Sequence, residues 1–159
     1  MKYCPVLTTL AFIVRDDQVL LVHRLRAGDE QEGKFNGLGG KIHPDEDVIT
    51  GLHRELAEEA GIVPISIKFR GTVSWPGFSA DGGDVLGFIF IIDDWNGEIF
   101  QSSEEGPLSW HPISELAELP MWEGDRYFLP LVFDPEINQF HGVLPYENNQ
   151  PKSWQVSVI

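Results

Sequence analysis

Three carboxylates in one short stretch, Glu55, Glu58 and Glu59, carry the chemistry written most plainly in this chain. If residues 47–60 are helical, the i, i+3 and i+4 spacing stacks these acids on one face, one above another. Such a cluster repels itself: each like-charged pair at contact in a partly shielded site costs on the order of a few kcal/mol, so a working version needs cations between the acids. Oxygen-only donors suit a hard ion, magnesium first and manganese second. Just upstream, the glycines of Gly39-Gly40 permit close backbone approach, and the carbonyl of Gly39 can face such an ion.

The element that must present the acids has its own signals. Pro44, with Asp45 or Asp47 able to cap, opens a helix, and Gly61 stands just past its end. Ile49, Leu52, Leu56 and Ala60 form an apolar stripe beside the carboxylate face, so the helix can pack on a sheet while turning acids toward a cleft. Arg54 lies on the other flank, within reach of Glu55. The glycine-containing segment 35–42 is not a P-loop, because Lys41 lacks the required spacing and no Ser or Thr follows it. Ile42 likewise breaks GxGxxG at its third glycine.

Gly40, Glu46 and then Arg54-Glu55-Leu56-Ala57-Glu58-Glu59-Ala60-Gly61-Ile62 resemble a complete Nudix box, the signature of hydrolases that cleave nucleoside diphosphates linked to another group. A pattern with this many specified positions is far more specific than a lone GxGxxG. The resemblance implies a single Nudix domain over residues 1–159, an α/β/α sandwich around a mixed central β-sheet. It implies that Glu55, Glu58, Glu59 and the Gly39 carbonyl hold metal, that Arg54 aims Glu55, and that Glu46 is a further structural partner. An acid just ahead of the Trp110 strand is expected to reach the metal cluster; Glu105 is selected, with Glu104 second, as ligand or general base. Arg24 is a candidate phosphate or base contact, because the site otherwise lacks positive charge.

The stretch 119–131, followed by Phe140-His141-Gly142, resembles the C-terminal part of MutT-homologue diphosphatases that remove oxidised purine nucleotides such as 8-oxo-dGTP. The resemblance implies that Trp122 stacks on the purine, Asp125 reads the base edge and Asn36 binds the base. Gly124 departs from it, standing where the best-known members carry a second acid. Trp75 and Phe78 stay outside the site list, since loop aromatics more often cover a core edge.

Strands are read at 8–14, 19–24, 65–74, 85–93 and 108–112, with a tight turn at Asn96-Gly97, a short helix capped by Ser114 and a last helix over 126–133. The loop 27–34 is polar and glycine-containing, of a kind that can gate a pocket. A net charge of -14 excludes a nucleic-acid polymer as ligand, since phosphate backbones need clustered basic residues and the 11 Lys and Arg are scattered. A small nucleotide remains compatible, because divalent metals bridge phosphates to carboxylates. No apolar run approaches the ~20 residues of a membrane span, and the single Cys4, expected partly buried, agrees with a reducing compartment. The chain is therefore expected to be cytoplasmic and monomeric, a dimer staying open, with no nucleic-acid or membrane partner. The expected reaction is magnesium-dependent hydrolysis of an oxidised purine nucleoside triphosphate to monophosphate and pyrophosphate. The rivals are ADP-ribose, dihydroneopterin triphosphate or general nucleotide hydrolysis, and a nucleotide-sensing module.

Overall fold

Period-two alternation builds the sheet. The computed structural model describes residues 1–159, and β1 (Val6–Arg15) and β2 (Gln18–His23) form the expected hairpin. Asp16 and Asp17 turn the chain with positive φ of 51° and 62°. Asp is one of the few L-residues that tolerate this, and two such residues in a row match the strands' twist. Phe12, Val19 and Leu21 point to one face of the sheet and Ala11, Ile13, Leu20 and Val22 to the other, all buried. Both faces are therefore covered, as apolar positions on both sides of a strand require.

The remaining strands are β3 (Phe35–Asn36), β4 (Val63–Trp75), β5 (Val85–Asn96), β6 (Ser102–Ser103), β7 (Gly106–Pro112) and β8 (Phe140–Val143). A small ribbon of β9 (Tyr146–Glu147) and β10 (Gln150–Pro151) precedes the edge strand β11 (Gln155–Val158). The sheet runs β11-β8-β4-β5-β1-β2-β7-β6, with β3 beside β2. It is mixed, because β1–β5 and β4–β8 are parallel and the other pairs antiparallel. Helix α1 (Val48–Ala60) covers one face through Leu52, Leu56 and Ala60. A 3-10 helix (Ile113–Glu118) and α2 (Asp125–Val132) cover the other through Leu116, Phe128, Leu129 and Val132. The layers are those of an α/β/α sandwich. No helix is long and apolar enough to cross a membrane.

Local details differ from expectation for physical reasons. Of the two acids able to cap α1, Asp47 is used, accepting from the Thr50 N–H at 2.8 Å, while Pro44, expected to open the helix, lies in the preceding turn. The apolar row continues through the partly buried Val48, four residues before Leu52, and Ile49 is 43% exposed, because it is rotated off that row. Gly97 ends β5 with φ 103°, but no hairpin follows; β6 pairs with β7 instead. Ser114 caps nothing, since the 3-10 helix starts directly after Pro112 without a side-chain cap. Cys4 is exposed rather than partly buried.

Arg70, only 5% exposed, secures the end of α2. Its guanidinium donates to the carbonyls of Leu131, Val132, Asp134, Ile137 and Asn138 at 2.8–3.2 Å. Helix C-terminal carbonyls have no partner within the helix and carry partial negative charge, so one buried cation answers both needs. Arg70→Met should therefore cost about 3–5 kcal/mol in urea denaturation, from stranded carbonyls rather than lost volume.

Candidate active site

The Gly39-Gly40 segment is inserted into the sheet rather than laid on it. β1 and β2 pair only near their turn, from Ile13–Leu20 to Arg15–Gln18. Residues 38–42 fill the gap beyond, with bonds between Ala11 and Leu38 in both directions, Thr9 N–H to Gly40 at 2.9 Å and Ile42 N–H to Leu7 at 2.9 Å. At Gly39 φ is 143°, and a Cβ would collide with the Thr9 carbonyl. A Cβ on Gly40 would lie 2.6 Å from the Glu55 carboxyl. The glycine pair thus lets the N-terminal half of β1 and the acid face of α1 meet.

Glu55, Glu58, Glu59, Ser103, Glu104 and Glu105 line a cleft of about 340 Å³ with no apolar residue. Arg54 organises its near wall. It bonds Glu46 at 2.6 and 3.0 Å, Glu55 at 3.0 Å, Glu58 at 3.5 Å and the Lys41 carbonyl at 3.0 Å. These hydrogen bonds, with the His43 N–H, hold the Glu46 carboxyl down at about 2. Arg54 and Glu46 therefore sit where the sequence put them, as the brace of Glu55. Glu59 accepts from the Gly39 N–H at 3.2 Å. Burial pushes its carboxyl up to about 7 against that hydrogen bond, with the charges of Glu55 and Glu105 adding to the rise and that of Arg24 opposing it. Glu105, at the tip of the β6–β7 turn, is partly buried and reaches Arg24 at 3.1 Å, while Glu104 is exposed.

No three of these carboxylates converge as one ligand set: Arg54 bonds Glu55 and Glu58, Arg24 bonds Glu105, and the Gly39 N–H bonds Glu59. The donor set nevertheless suits a hard cation: five acids face one cleft, and the Gly39 carbonyl beside them accepts no hydrogen bond within the chain.

A second cavity, about 180 Å³, opens on the other side of the glycine pair and contains Asn36, Trp122 and Asp125 together with Arg24 and Gly39. Four buried side-chain polar atoms in the protein have no partner: Thr9 Oγ1, Arg24 Nε, Asn36 Nδ2 and Trp122 Nε1. All four belong to residues of this one wall. An unpartnered buried donor costs about 1–3 kcal/mol, so their clustering marks a place built for a polar guest. Trp75 and Phe78, left off the site list from the sequence, also line it, as do Thr9 and Met121, which were not singled out. The one available signal was Thr9 itself, a polar residue in an apolar strand. Arg24 lines this cavity and is tied to Glu105, an acid of the other one, at 3.1 Å. His23 is structural, stacked on Phe35 at 4.1 Å.

Gly124 has a steric cause: a Cβ there would run into the Tyr146 hydroxyl, which accepts from the Gly124 N–H at 3.0 Å. No second acid fits while Tyr146 is present. Asp125 is pushed up to about 7 by burial, a backbone hydrogen bond from Trp122 opposing it. Its folded value lies above the unfolded one, so the folded state binds the extra proton and stability falls as pH rises from about 4 to about 7. Asp125→Asn should remove that fall, making the variant more stable than the parent at pH 8 by on the order of 2–4 kcal/mol and no more stable at pH 3.5. Thermal melts across pH check this.

An acid cleft and a donor-lined aromatic pocket joined by a glycine pair define a hydrolase of phosphate-bearing ligands. Residues 5–132 match the NUDIX domain. The chain belongs to that family and acts on phosphoanhydride bonds. It is 31% identical over 135 residues to the Bacillus subtilis (strain 168) protein named Uncharacterized Nudix hydrolase YvcI, covering 82% of this chain and 80% of the relative. It is 29% identical over 143 residues to an oxidized purine nucleoside triphosphate hydrolase of Danio rerio, covering 90% and 88%. The crystal structure of a MutT protein from Bacillus halodurans superposes with a TM-score of 0.82 at 27% identity, covering 95% of this chain and 97% of that one.

Proposed function

We propose that the protein hydrolyses oxidised purine nucleoside triphosphates of the 8-oxo-dGTP type to monophosphate and pyrophosphate, a nucleotide-cleaning role in the cytoplasm. The observation that carries this reading is the gathering of every unpartnered buried side-chain polar atom around the pocket of Asn36, Trp122 and Asp125, next to the acid cleft. Such a wall offers an amide, an indole N–H, a hydroxyl and a carboxyl to the donors and acceptors of a purine edge. Similarity to the Danio rerio enzyme supports the same choice.

Glu55, Glu58, Glu59, Glu105 and the Gly39 carbonyl would hold magnesium, or manganese in its place, which when bound offsets charge on the phosphate oxygens and acidifies water. Arg54 keeps Glu55 aimed into the cleft, and Asn36 and Asp125 set the base so that the triphosphate runs over Gly39-Gly40 toward the acids. In the reaction a water oxygen bonds to phosphorus, the α–β anhydride bond breaks, its electron pair leaves with pyrophosphate, and a cleft carboxylate takes the water proton. A hydrolysis screen of canonical and oxidised nucleoside triphosphates with magnesium tests the reading. Preference for oxidised purines with pyrophosphate as product is expected. Equal rates on dGTP and 8-oxo-dGTP would make it a general nucleotide pyrophosphatase, and cleavage of ADP-ribose alone would replace the reading.

A further inference from the structure

Lys34, the last residue before β3, carries its ammonium 4.6 Å from the centre of the Trp122 ring. The ammonium also donates to the Glu30 carbonyl at 3.3 Å. The backbone beneath is held in place, since the Lys34 carbonyl accepts from the Arg24 N–H at 2.9 Å and the Lys34 N–H donates to Gln31 at 2.9 Å. Trp122 is 6% exposed, and Phe78 and Tyr146 pack against it at steep angles with centroids 4.8 and 5.8 Å away. Stacked rings lie about 4.5–7 Å apart between centroids, so the Lys34 ammonium stands where a base on Trp122 would place its own ring.

Lys34 differs from the two arginines that bind the cleft acids. Arg24 is paired with Glu105, and Arg54 with Glu46, Glu55 and Glu58. Lys34 forms no ion pair; its ammonium is balanced by an aromatic face and one carbonyl. In a chain of net charge -14 an anionic guest meets repulsion, and a cation with no carboxylate to leave is the one most readily transferred to it.

We infer that Lys34 is a specificity-determining residue: its ammonium covers the Trp122 ring in the free protein, yields the ring to an entering base, and then pairs with an anionic oxygen of the same nucleotide. This rests on Trp122 being the base platform. A neutral nucleoside displaces the ammonium and offers it nothing, while a triphosphate displaces it and supplies a new partner. Lys34 therefore selects for phosphorylated guests at the base end of the site.

The two halves of this inference predict opposite shifts on removing the charge. The probes are the preferred triphosphate from the screen and the nucleoside derived from it, the latter measured as a competitive inhibitor. In Lys34→Ala and Lys34→Gln the nucleoside should bind about two- to five-fold tighter, the size of a partly exposed cation–π contact. The KM for the triphosphate should rise about five- to ten-fold at low salt, and that difference should shrink as ionic strength increases. Lys34→Arg should restore parent behaviour on both counts. A nucleoside that binds equally or less well in both variants overturns the inference, as does an unchanged triphosphate KM at low salt. Trp122→Phe is the control: if it moves neither the nucleoside inhibition constant nor KM, the base-platform reading fails; if it moves them and the Lys34 variants do not, only the inference about Lys34 fails.

Discussion

Glu58→Gln should lower turnover by at least about 10²–10³-fold while leaving thermal stability essentially unchanged. The Glu58 side chain is 61% exposed and its one ion pair is the 3.5 Å contact with Arg54. Exposed pairs of this kind are worth about 0–1 kcal/mol, and Arg54 keeps Glu46, Glu55 and the Lys41 carbonyl. The substitution keeps the shape of the side chain and removes only a charge from the acid cleft. Its whole effect is therefore expected in the chemistry, read as kcat beside a melting curve. Parent-like turnover would take Glu58 out of the metal-holding set and with it the assignment of the helix face.

Trp122→Phe should raise KM for the preferred nucleotide about ten-fold with kcat within a factor of two, the loss of stacking area and of one N–H donor. The expected change lies in KM because the base is gripped alike before and during phosphoryl transfer, which occurs at the other end of the site. Phe is the informative choice. Trp122 belongs to the 14-residue core cluster that includes Phe128, Val132 and Tyr146, so Trp122→Ala should also cost about 3–5 kcal/mol and blur any kinetic reading. Unchanged KM in a folded Trp122→Phe protein would leave Trp122 a core residue only.

Trp122 is buried in the core and lines the pocket at once, so its core position does not remove it from the candidate base site. Glu105 illustrates a different limit. The resemblance ranked Glu105 ahead of the adjacent Glu104, and the β6–β7 turn, with Gly106 at φ 151° against the His23 carbonyl, is what brings Glu105 to Arg24. Gly124 read as a missing acid and is explained by Tyr146, 22 positions later.

The sequence by itself determined what depends on local geometry. The i, i+3, i+4 spacing puts Glu55, Glu58 and Glu59 on one face, Asp47 and Gly61 bound that helix, alternation builds the layers, and Arg54 reaches Glu55 from the adjacent position. These follow from helix and strand periods that a few neighbouring residues set. Tertiary structure alone decided the rest. It joined Arg24 to Glu105 across 81 positions, set Lys34 over Trp122, buried Asp125 until its carboxyl titrates near neutrality, and gathered four unpartnered polar atoms on one wall. Burial and distance between remote segments are properties of the packed chain, which the spacing of the acids does not encode.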